Sequence, residues 1–254
     1  MPWWLLLYFY HLSVFNSDSI NYDISYCMKK ITILDCGSSL EKVSSQFGQS
    51  PEWIMDVLKD TDCHFTWLKS YEGEIINHNE GDAWIITGSP RSVYNEENWM
   101  LDLEKNIRYA VEYNKLVLGI CFGHQLIAKS FGGTVELNPN GWELGSYSIS
   151  LTEKGKYSPL FNNIEDNVIV YESHKDSVTS IPDGAVKLAY NKKCIQAFQL
   201  HDLLYAVQFH PEFSWDIMKK YVSIRGSSGI TVDDPNVPES LYGYLILHNF
   251  IKLI

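Results

Sequence analysis

The 254-residue sequence is poor in positive charge and has no paired cysteine motif. Its 20 lysine and arginine residues are outnumbered by 31 aspartate and glutamate residues, and the formal net charge is -11. Such a balance argues against broad electrostatic binding to nucleic acid or to an anionic membrane. The five cysteines are an odd number without a CxxC pair, so neither a disulfide framework nor a metal site is predicted, and a reducing cytoplasm is the expected compartment.

Nucleotide-binding motifs and membrane-length apolar runs are also missing. The sequence has neither a Gly-x-x-x-x-Gly-Lys-Ser/Thr loop nor a Gly-x-Gly-x-x-Gly run after a strand, so no nucleotide site is predicted and no cofactor is expected. An apolar, aromatic run at 2–15 is shorter than the about 20 residues that a membrane-spanning helix needs, and no positive charge precedes it. We interpret residues 1–27 as an extension ahead of one domain at 28–254. A membrane-surface anchor and a signal peptide are the lower-ranked alternatives.

Short apolar runs alternate with helical patterns in the first half of that domain, which is typical of parallel strands joined by crossover helices. The predicted strands are 31–35, 64–68, 83–87 and 116–120. Between the last two, Trp99, Leu103, Ile107 and Val111 recur every four residues and predict an amphipathic helix. The first half therefore indicates an α/β fold built on a mostly parallel sheet.

The second half has shorter, more closely spaced strands of antiparallel character. They are predicted at 146–151, 168–171, 185–189, 195–200 and 205–209. Two helices follow, at 215–224 and 241–253, on either side of a long Gly-, Ser- and Pro-containing loop at 225–239. This arrangement predicts helices flanking the sheet up to the end of the chain.

A cysteine between two glycines marks the turn from a predicted strand to a predicted helix. Gly119, Cys121 and Gly123 have the Gly-x-nucleophile-x-Gly spacing of a nucleophile elbow. The start of the helix at 122–131 would expose the thiol to the positive end of the helix dipole and to free N–H groups, which favours the thiolate. A buried structural cysteine is the alternative interpretation.

A His-Pro-Glu sequence follows the predicted strand at 205–209. Residues two apart in extended backbone point to the same side, so His210 and Glu212 can lie together. An acid beside the imidazole fixes its tautomer and stabilises its protonated form, while the imidazole serves a nucleophile as base and then as acid. A surface turn is the alternative, and it is weaker because the functional loops of an α/β sheet gather at its carboxyl edge.

Together these motifs resemble the class I glutamine amidotransferase family. GICFGHQ resembles the nucleophile segment and FHPEF the rest of the triad, and TGSP at 87–90, GWELG at 141–145 and SHKD at 173–176 agree with the family pattern. The resemblance covers residues 28–213, and the opening ILDCGSS resembles the amidotransferase part of GMP synthases. It implies a flavodoxin-like open sheet, mostly parallel and flanked by helices, with an additional small antiparallel sheet.

The resemblance also implies catalytic roles. Cys121 would attack the side-chain amide carbon of glutamine, and the backbone N–H groups of Gly88 and Phe122 would hold the oxyanion. His210, oriented by Glu212, would protonate the departing ammonia and then activate the water that hydrolyses the γ-glutamyl thioester. No metal takes part in this scheme.

Substrate-binding roles are implied for Gln125, Ser173 and His174, the last two through their backbone. Two other residues receive structural interpretations. Cys36 lacks the preceding elbow glycine and is interpreted as a packed thiol. His124 follows Gly123 inside the predicted helix and is interpreted as packing beside the site rather than as the base.

Three functions are compatible with the sequence. The first is a glutaminase, GMP-synthase-like, that supplies ammonia to a separate synthetase subunit. The second is a γ-glutamyl peptidase or hydrolase with the same triad, and the third is a non-catalytic binding module of the same fold. The expected ligand is glutamine or a γ-glutamyl compound, no nucleic acid partner is expected, and homo-oligomer formation is left open.

Overall fold

The computed structural model of the protein describes residues 28–254, so the predicted N-terminal extension, with Cys27, lies outside the described residues. The strands in 28–254 are β1 (Lys29–Asp35), β2 (Cys63–Lys69), β3 (Ala83–Ile86), β4 (Leu116–Ile120), β5 (Thr134–Leu137), β6 (Glu143–Leu151), β7 (Val168–His174), β8 (Asp176–Ser180), β9 (Val186–Tyr190), β10 (Ile195–Leu200) and β11 (Leu204–Val207). The α-helices in the same range are α1 (Glu41–Phe47), α2 (Ser50–Val57), α3 (Asn98–Glu112), α4 (Phe122–Ser130), α5 (Glu153–Lys156), α6 (Trp215–Ser227) and α7 (Leu245–Ile251).

Nine strands of the described chain form one large sheet in the order β2-β1-β3-β4-β11-β10-β9-β6-β7. The five strands from β2 to β11 in this order run parallel, and the other four continue the sheet antiparallel. β5 and β8 pair antiparallel in a separate two-stranded sheet. The predicted fold class, an α/β fold with a mostly parallel sheet, flanking helices and a small antiparallel sheet, is confirmed.

Alternate residues of the parallel strands pack on opposite faces of the sheet. On β3, Trp84 and Ile86 contribute to the apolar cluster that contains the buried residues of α3 and α4. Ile85, between them, contributes to the cluster that contains Ile54 of α2 and the buried apolar residues of α7. Since both faces are covered, the inner parallel strands β3 and β4 read as continuous apolar runs, which is why the sequence shows them clearly.

The predicted amphipathic helix is confirmed as α3, whereas the two C-terminal helices differ at their ends. α6 extends to Ser227, into the predicted loop, and the hydroxyls of Ser227 and Ser228 donate to backbone carbonyls of its last turns. α7 begins at Leu245, four residues later than predicted, because a turn at Ser240 and Gly243 precedes it. The connection between the helices is therefore 228–244.

Five regular elements were not predicted: α1, α2, α5, β5 and β8. α2 begins with a capping box in which the N-cap is Gln49, whose side chain accepts from the N–H of Glu52 while the Glu52 carboxylate accepts from the N–H of Gln49. Glutamine is not among the preferred N-cap residues, so this start lacks the usual signature. β5 and β8 are short strands with several exposed residues and little apolar periodicity.

The carboxyl ends of β3, β4 and β11, which are adjacent in the sheet, bring the predicted catalytic segments to one edge. Gly88, Cys121 and His210 lie one to three residues beyond these strand ends. Parallel neighbours place their following loops side by side, so residues far apart in sequence meet there. None of the helices in residues 28–254 combines the length and the apolar character required to cross a membrane.

Candidate active site

Cys121 occupies a strained turn between β4 and α4. Its backbone has φ 51° and ψ -97°, a conformation that non-glycine residues rarely adopt, at the N-cap of α4. The flanking glycines are required by close backbone contact: a Cβ at Gly119 would lie 2.5 Å from the carbonyl carbon of Gly123, and one at Gly123 would lie 2.6 Å from the carbonyl oxygen of Ile86. The turn therefore has the geometry of a nucleophile elbow.

His210 lies beside this thiol and is held by Glu212. Nδ1 of His210 is 2.8 Å from Oε1 of Glu212, and both side chains are buried. The ring of Phe213 stacks on the imidazole at a centroid distance of 4.1 Å, and the hydroxyl of Ser50 donates to the same carboxylate oxygen at 3.4 Å. The imidazole is thus fixed by its carboxylate partner on one edge and by an aromatic ring on one face.

The charges of the site favour a protonated imidazole. Burial by itself lowers the pKa of His210, but the Glu212 carboxylate and the Cys121 thiol group, which is also a hydrogen-bonding partner of the ring, together raise that pKa to about 10. Because Nδ1 is engaged with Glu212, the other ring nitrogen is the one available to Cys121. The imidazolium is the charge state of His210 that this arrangement stabilises.

Two backbone N–H groups predicted for the oxyanion hole flank the cysteine. Phe122 is the first residue of α4, and neither its N–H nor that of Gly88 donates to an acceptor within residues 28–254. A Cβ placed on Gly88 would lie 3.0 Å from Cε1 of His210 and 3.7 Å from Cβ of Cys121, so the Gly88 backbone borders the reacting centre. The two donors are available for an anion at the thiol.

The thiol opens into a cavity with two lobes that meet at Cys121. The first lobe, of about 50 Å³, is lined by Gly37, Ser38, Ser39, Leu40, Ser50 and Trp53 beyond the catalytic residues. The second, of about 60 Å³, is lined by Arg91, Phe122, Gln125, Trp142, His174, Lys175 and Asp176. Ser89, Pro90, Ser173 and Arg225 border both lobes. A substrate bound across Cys121 would therefore have space on each side of the scissile bond.

The three predicted substrate-binding residues line this cavity, although their side chains differ in availability. The amide nitrogen of Gln125 donates to the backbone oxygen of Asp176 at 2.9 Å and to the side chain of Gln208 at 3.2 Å. The hydroxyl of Ser173 is buried without a partner in the described chain. Both ring nitrogens of His174 face protein groups rather than the cavity. Any contact of His174 with substrate would thus come from its backbone.

The ring of His174 enters a buried acidic cluster that the sequence analysis missed. Its Nε2 lies 3.2 Å from Glu143 and 3.0 Å from Glu172, while Nδ1 faces the Asp176 backbone oxygen at 2.9 Å. Burial raises the pKa of Glu172 to about 7, whereas the two carboxylates overcome burial and raise the pKa of His174 well above its ordinary value. The cluster borders the second lobe through His174.

This cluster is also the part of the described chain where metal-ligand types converge. Donor atoms of Glu143, His174 and Cys194 lie within 4.8 Å of one another. The Cys194 thiol donates to Glu143 at 3.0 Å, and Asn191 donates to the other oxygen of that carboxylate at 2.6 Å. Protein donors therefore occupy the Glu143 carboxylate, and Glu143, Glu172 and His174 form a buried group of ion pairs.

Cys36 and His124 have the environments of packed residues. Cys36 is fully buried, and burial with the neighbouring Asp35 charge raises the pKa of its thiol well above the ordinary value. His124 is fully buried against Phe198, and burial lowers the pKa of its imidazole to about 3. Neither residue is in a position to serve the cavity as a nucleophile or a base.

Arg225, Phe213 and Ser50 were also missed as site residues. Arg225 belongs to the last turn of α6, within the predicted loop, and Ser50 belongs to the unpredicted helix α2. Phe213 is part of the FHPEF segment, where the aromatic pattern alone does not show that the ring stacks on His210. The available signal was the position of Phe213 three residues after the histidine.

Known proteins similar to this chain include enzymes of two kinds. A glutamine amidotransferase-like protein of Schizosaccharomyces pombe is 28% identical over 222 residues, 79% of this chain and 86% of the relative. Gamma-glutamyl peptidase 3 of Arabidopsis thaliana is 30% identical over 145 residues, 56% of this chain and 58% of the relative. The glutamine-hydrolysing GMP synthase of Borreliella burgdorferi is 38% identical over 166 residues, 63% of this chain but 30% of the relative.

A comparison with solved structures and a match to a family model agree with these similarities. The crystal structure of a glutamine amidotransferase from Methylobacillus flagellatus superposes with a TM-score of 0.70 at 23% identity, covering 89% of this chain and 95% of that one. The class I glutamine amidotransferase family model matches residues 33–223, a range that includes the elbow and the His-Pro-Glu segment. The chain belongs to the class I glutamine amidotransferase family.

Proposed function

We propose that the chain is a glutaminase that hydrolyses the side-chain amide of glutamine to glutamate and ammonia. The observation that carries the proposal is the elbow thiol of Cys121, which faces the imidazole of the buried His210–Glu212 pair in an open cavity. A thiol nucleophile, a base held by an acid and two free N–H donors are the groups that amide hydrolysis through a covalent intermediate requires.

In the first half of the proposed reaction, the Cys121 thiolate adds to the amide carbon. The oxygen becomes an oxyanion that accepts hydrogen bonds from the N–H groups of Gly88 and Phe122. The His210 imidazolium then donates its proton to the leaving nitrogen, the C–N bond breaks, and ammonia departs. A γ-glutamyl thioester remains on Cys121, and His210 is neutral.

In the second half, His210 takes a proton from water as the water oxygen adds to the thioester carbon. The second oxyanion collapses and the C–S bond breaks, so that glutamic acid leaves and ionises. The thiolate and the imidazolium are restored together. Glu212 remains ionised throughout, and its role is to keep the imidazole oriented and to stabilise its positive charge.

We further propose a separate synthetase as the acceptor of the ammonia and the cytoplasm as the compartment. The similarity to a glutamine-hydrolysing GMP synthase, of which the chain covers 30%, supports a role in supplying ammonia to a synthetase. Four cysteines in the described residues are free thiols, as a reducing compartment would maintain them.

A second candidate is a γ-glutamyl peptidase that uses the same triad. The observation in its favour is the first lobe of the cavity, which is open to solvent beside Cys121 and is bordered by Ser38, Ser39 and Trp53, so that a leaving group other than ammonia could extend into it. The similarity to gamma-glutamyl peptidase 3 points in the same direction. In this scheme His210 would protonate the amine of a departing peptide instead of ammonia.

The test compares ammonia release from glutamine with cleavage of a γ-glutamyl dipeptide, each with and without cell extract. We expect glutamine turnover that Cys121→Ala lowers by roughly 10³-fold or more, since the covalent path is lost. Cys36→Ser serves as the matched thiol control and should leave turnover nearly unchanged.

Two outcomes would contradict the proposal. If glutamine is inert even with extract while the dipeptide is cleaved, the peptidase is the function. If no covalent adduct forms with an electrophilic glutamine analogue, the chain is a non-catalytic module. Loss of activity in Cys36→Ser without unfolding would show that the nucleophile was chosen wrongly.

A further inference from the structure

Arg225 places a positive charge where the two lobes of the cavity meet. It lies in the last turn of α6 and borders both lobes together with Cys121. Its guanidinium lies over the ring of Trp142, 4.9 Å from the centroid, and 5.7 Å from the ring centroid of Tyr221. Two aromatic rings thus hold the plane of the guanidinium in one orientation.

No acidic side chain in residues 28–254 forms an ion pair with this guanidinium. Its Nε is buried and has no hydrogen-bond acceptor in the described chain. Burial lowers the pKa of Arg225, and the groups that act against this effect are Tyr221 and Cys121 rather than a carboxylate. Arginine stays charged even so, and an uncompensated charge in a partly buried site costs free energy unless a ligand neutralises it.

The other cations at the cavity are in different situations. Arg91 is paired with Glu97 at 3.6 Å, and Lys175 is exposed to solvent. Arg225 combines burial, an orphaned donor and contact with both lobes. Of the cationic residues at the described site, Arg225 is therefore the one best suited to bind an anion.

We propose that Arg225 binds the α-carboxylate of the substrate and makes the site selective for a free γ-glutamyl group. This inference rests on the proposed function, because it assumes that the scissile amide carbon lies at Cys121. In glutamine four C–C bonds separate that carbon from the α-carboxyl carbon, a reach of about 5 Å when extended. Cys121 and Arg225 line the same two lobes, so a carboxylate held near the thiol shares its space with the guanidinium fork, which matches its two oxygens.

A different role for the same charge is stabilisation of the thiolate or of the oxyanion. The two roles differ in their dependence on the substrate. A thiolate partner would matter equally for every substrate, whereas an α-carboxylate partner would matter only when that carboxylate is present. The test therefore varies the protein and the substrate together.

The experiment compares two electrophiles, a diazoketone analogue of glutamine with a free α-carboxylate and its α-methyl ester, by the rate of Cys121 labelling in mass spectrometry. Ammonia release from glutamine and from glutamine α-methyl ester is measured in parallel. In the unaltered chain we expect the free carboxylate to be preferred by about 100-fold, as for loss of a charged hydrogen-bonding partner. In Arg225→Met the preference in labelling should fall to within about 3-fold, because the analogue with the free carboxylate reacts more slowly. In glutamine turnover the same variant should show a raised KM rather than a lowered kcat.

Two control variants accompany Arg225→Met. Lys219→Met removes a positive charge from the same helix outside the cavity and should keep the full preference, while Arg225→Lys should keep part of it because the charge stays but the fork is lost. Equal losses for both compounds in Arg225→Met, an unchanged preference in that variant, or loss of preference in Lys175→Met instead would overturn the inference.

The labelling arm separates this inference from the proposed function. If labelling shows the Arg225-dependent preference but glutamine is not turned over, the glutaminase proposal fails and the carboxylate subsite stands. If glutamine is turned over without any preference for the free carboxylate, the subsite fails and the glutaminase stands. If Cys121 reacts with neither analogue, both are overturned.

Discussion

At the scale of single residues, the histidine and its acid form the most strongly coupled part of the site. His210 is buried, and its positive charge is supported by Glu212 at 2.8 Å. The raised pKa of His210, about 10, is the balance between burial, which lowers it, and the nearby Glu212 and Cys121 charges, which raise it. Removal of the carboxylate charge takes away the largest single effect that raises this pKa.

We predict that Glu212→Gln lowers the pKa of His210 and shifts the alkaline limb of the pH profile to lower pH. In the unaltered chain the imidazolium persists until the pH approaches about 10. In the variant the proton is lost at lower pH, so kcat/KM should fall at least about 10-fold more at pH 9 than at pH 6, since tenfold corresponds to one pKa unit. The measurement is kcat/KM for glutamine from pH 5.5 to 9.5.

The control for this profile is Glu239→Gln, which removes an exposed carboxylate. Its profile should follow that of the unaltered chain. A Glu212→Gln variant that loses activity by one factor at every pH would instead mean that the carboxylate only positions the ring.

At this scale, a site residue could be predicted from the sequence when the residues that identify its role lie close to it in the sequence. Cys121 has its glycines two positions away, and His210 and Glu212 are two apart in the segment that follows β11, so a motif contains them. Arg225 and Glu172 acquire their environments from distant segments: Arg225 from Trp142 and the cavity, and Glu172 from Glu143 across the β6–β7 pair. Physical proximity of this kind has no sequence period or spacing to reveal it.

At the scale of elements, the strand-turn-helix unit of β4 and α4 depends on the absence of side chains at its two glycines. The helix start passes so close to the strand that a Cβ at Gly119 would lie 2.5 Å from both the carbonyl carbon and the oxygen of Gly123. Backbone atoms cannot move aside as a flexible side chain can, so the turn itself must shift.

We predict that Gly119→Ala lowers the free energy of unfolding by about 1–3 kcal/mol, the usual cost of overpacking. It should also reduce kcat/KM by at least about 100-fold, because a displacement of the elbow moves the thiol and the Phe122 N–H together. Chemical unfolding and glutamine turnover are the measurements. Gly226→Ala is the matched control, since the nearest contact to its added Cβ is a side-chain atom of Val232 at 3.4 Å. Gly119→Ala with full activity would contradict a strained elbow.

The elements also differ in how clearly their own sequences predict them. β1, β3 and β4 are buried on both faces and were predicted from continuous apolar runs, and α3 from its four-residue repeat. α2 has an atypical cap, and β8 is stabilised by pairing with β5, a contact across about 40 residues. Such elements depend on tertiary contacts, which propensity and periodicity do not contain.

At the scale of the whole molecule, the buried cluster of Glu143, Glu172 and His174 makes the stability of the fold depend on pH. In the unfolded chain Glu172 loses its proton near 4.5 and His174 near 6.5, whereas in the folded chain the pKa of each is raised, that of Glu172 to about 7. The folded state therefore holds more protons than the unfolded state over this range. Stability contributed in this way is complete below the unfolded pKa values and is lost as the pH rises through the folded ones.

We predict that the free energy of unfolding falls between pH 6 and pH 8, by at most about 1.4 kcal/mol per pH unit for each proton involved. His210, whose pKa is also raised, changes stability in the same direction. Burial lowers the pKa of His124 to about 3, so its contribution has the opposite sign and offsets that of Glu172 below pH 6. Glu172→Gln removes one of the raised protons and should make the decline shallower between pH 6 and 7. Denaturant unfolding at pH 5, 6, 7 and 8 measures both slopes. Glu153→Gln, at an exposed carboxylate, should keep the original slope, and a stability that rises over this range would contradict the prediction.

The last prediction concerns the predicted domain start. The described fold begins with β1 at Lys29, whose strand is held between β2 and β3, and the family match begins at residue 33. We predict that a chain starting at Met28 keeps kcat/KM within about 2-fold and the free energy of unfolding within about 0.5 kcal/mol, the range of changes that touch no packed or hydrogen-bonded group. Turnover and denaturant unfolding of the two chains, side by side, measure this. A loss of several kcal/mol in the free energy of unfolding would mean that residues 1–27 contribute to the domain. Removal of an independent extension would take no packing contacts or hydrogen bonds away from the domain.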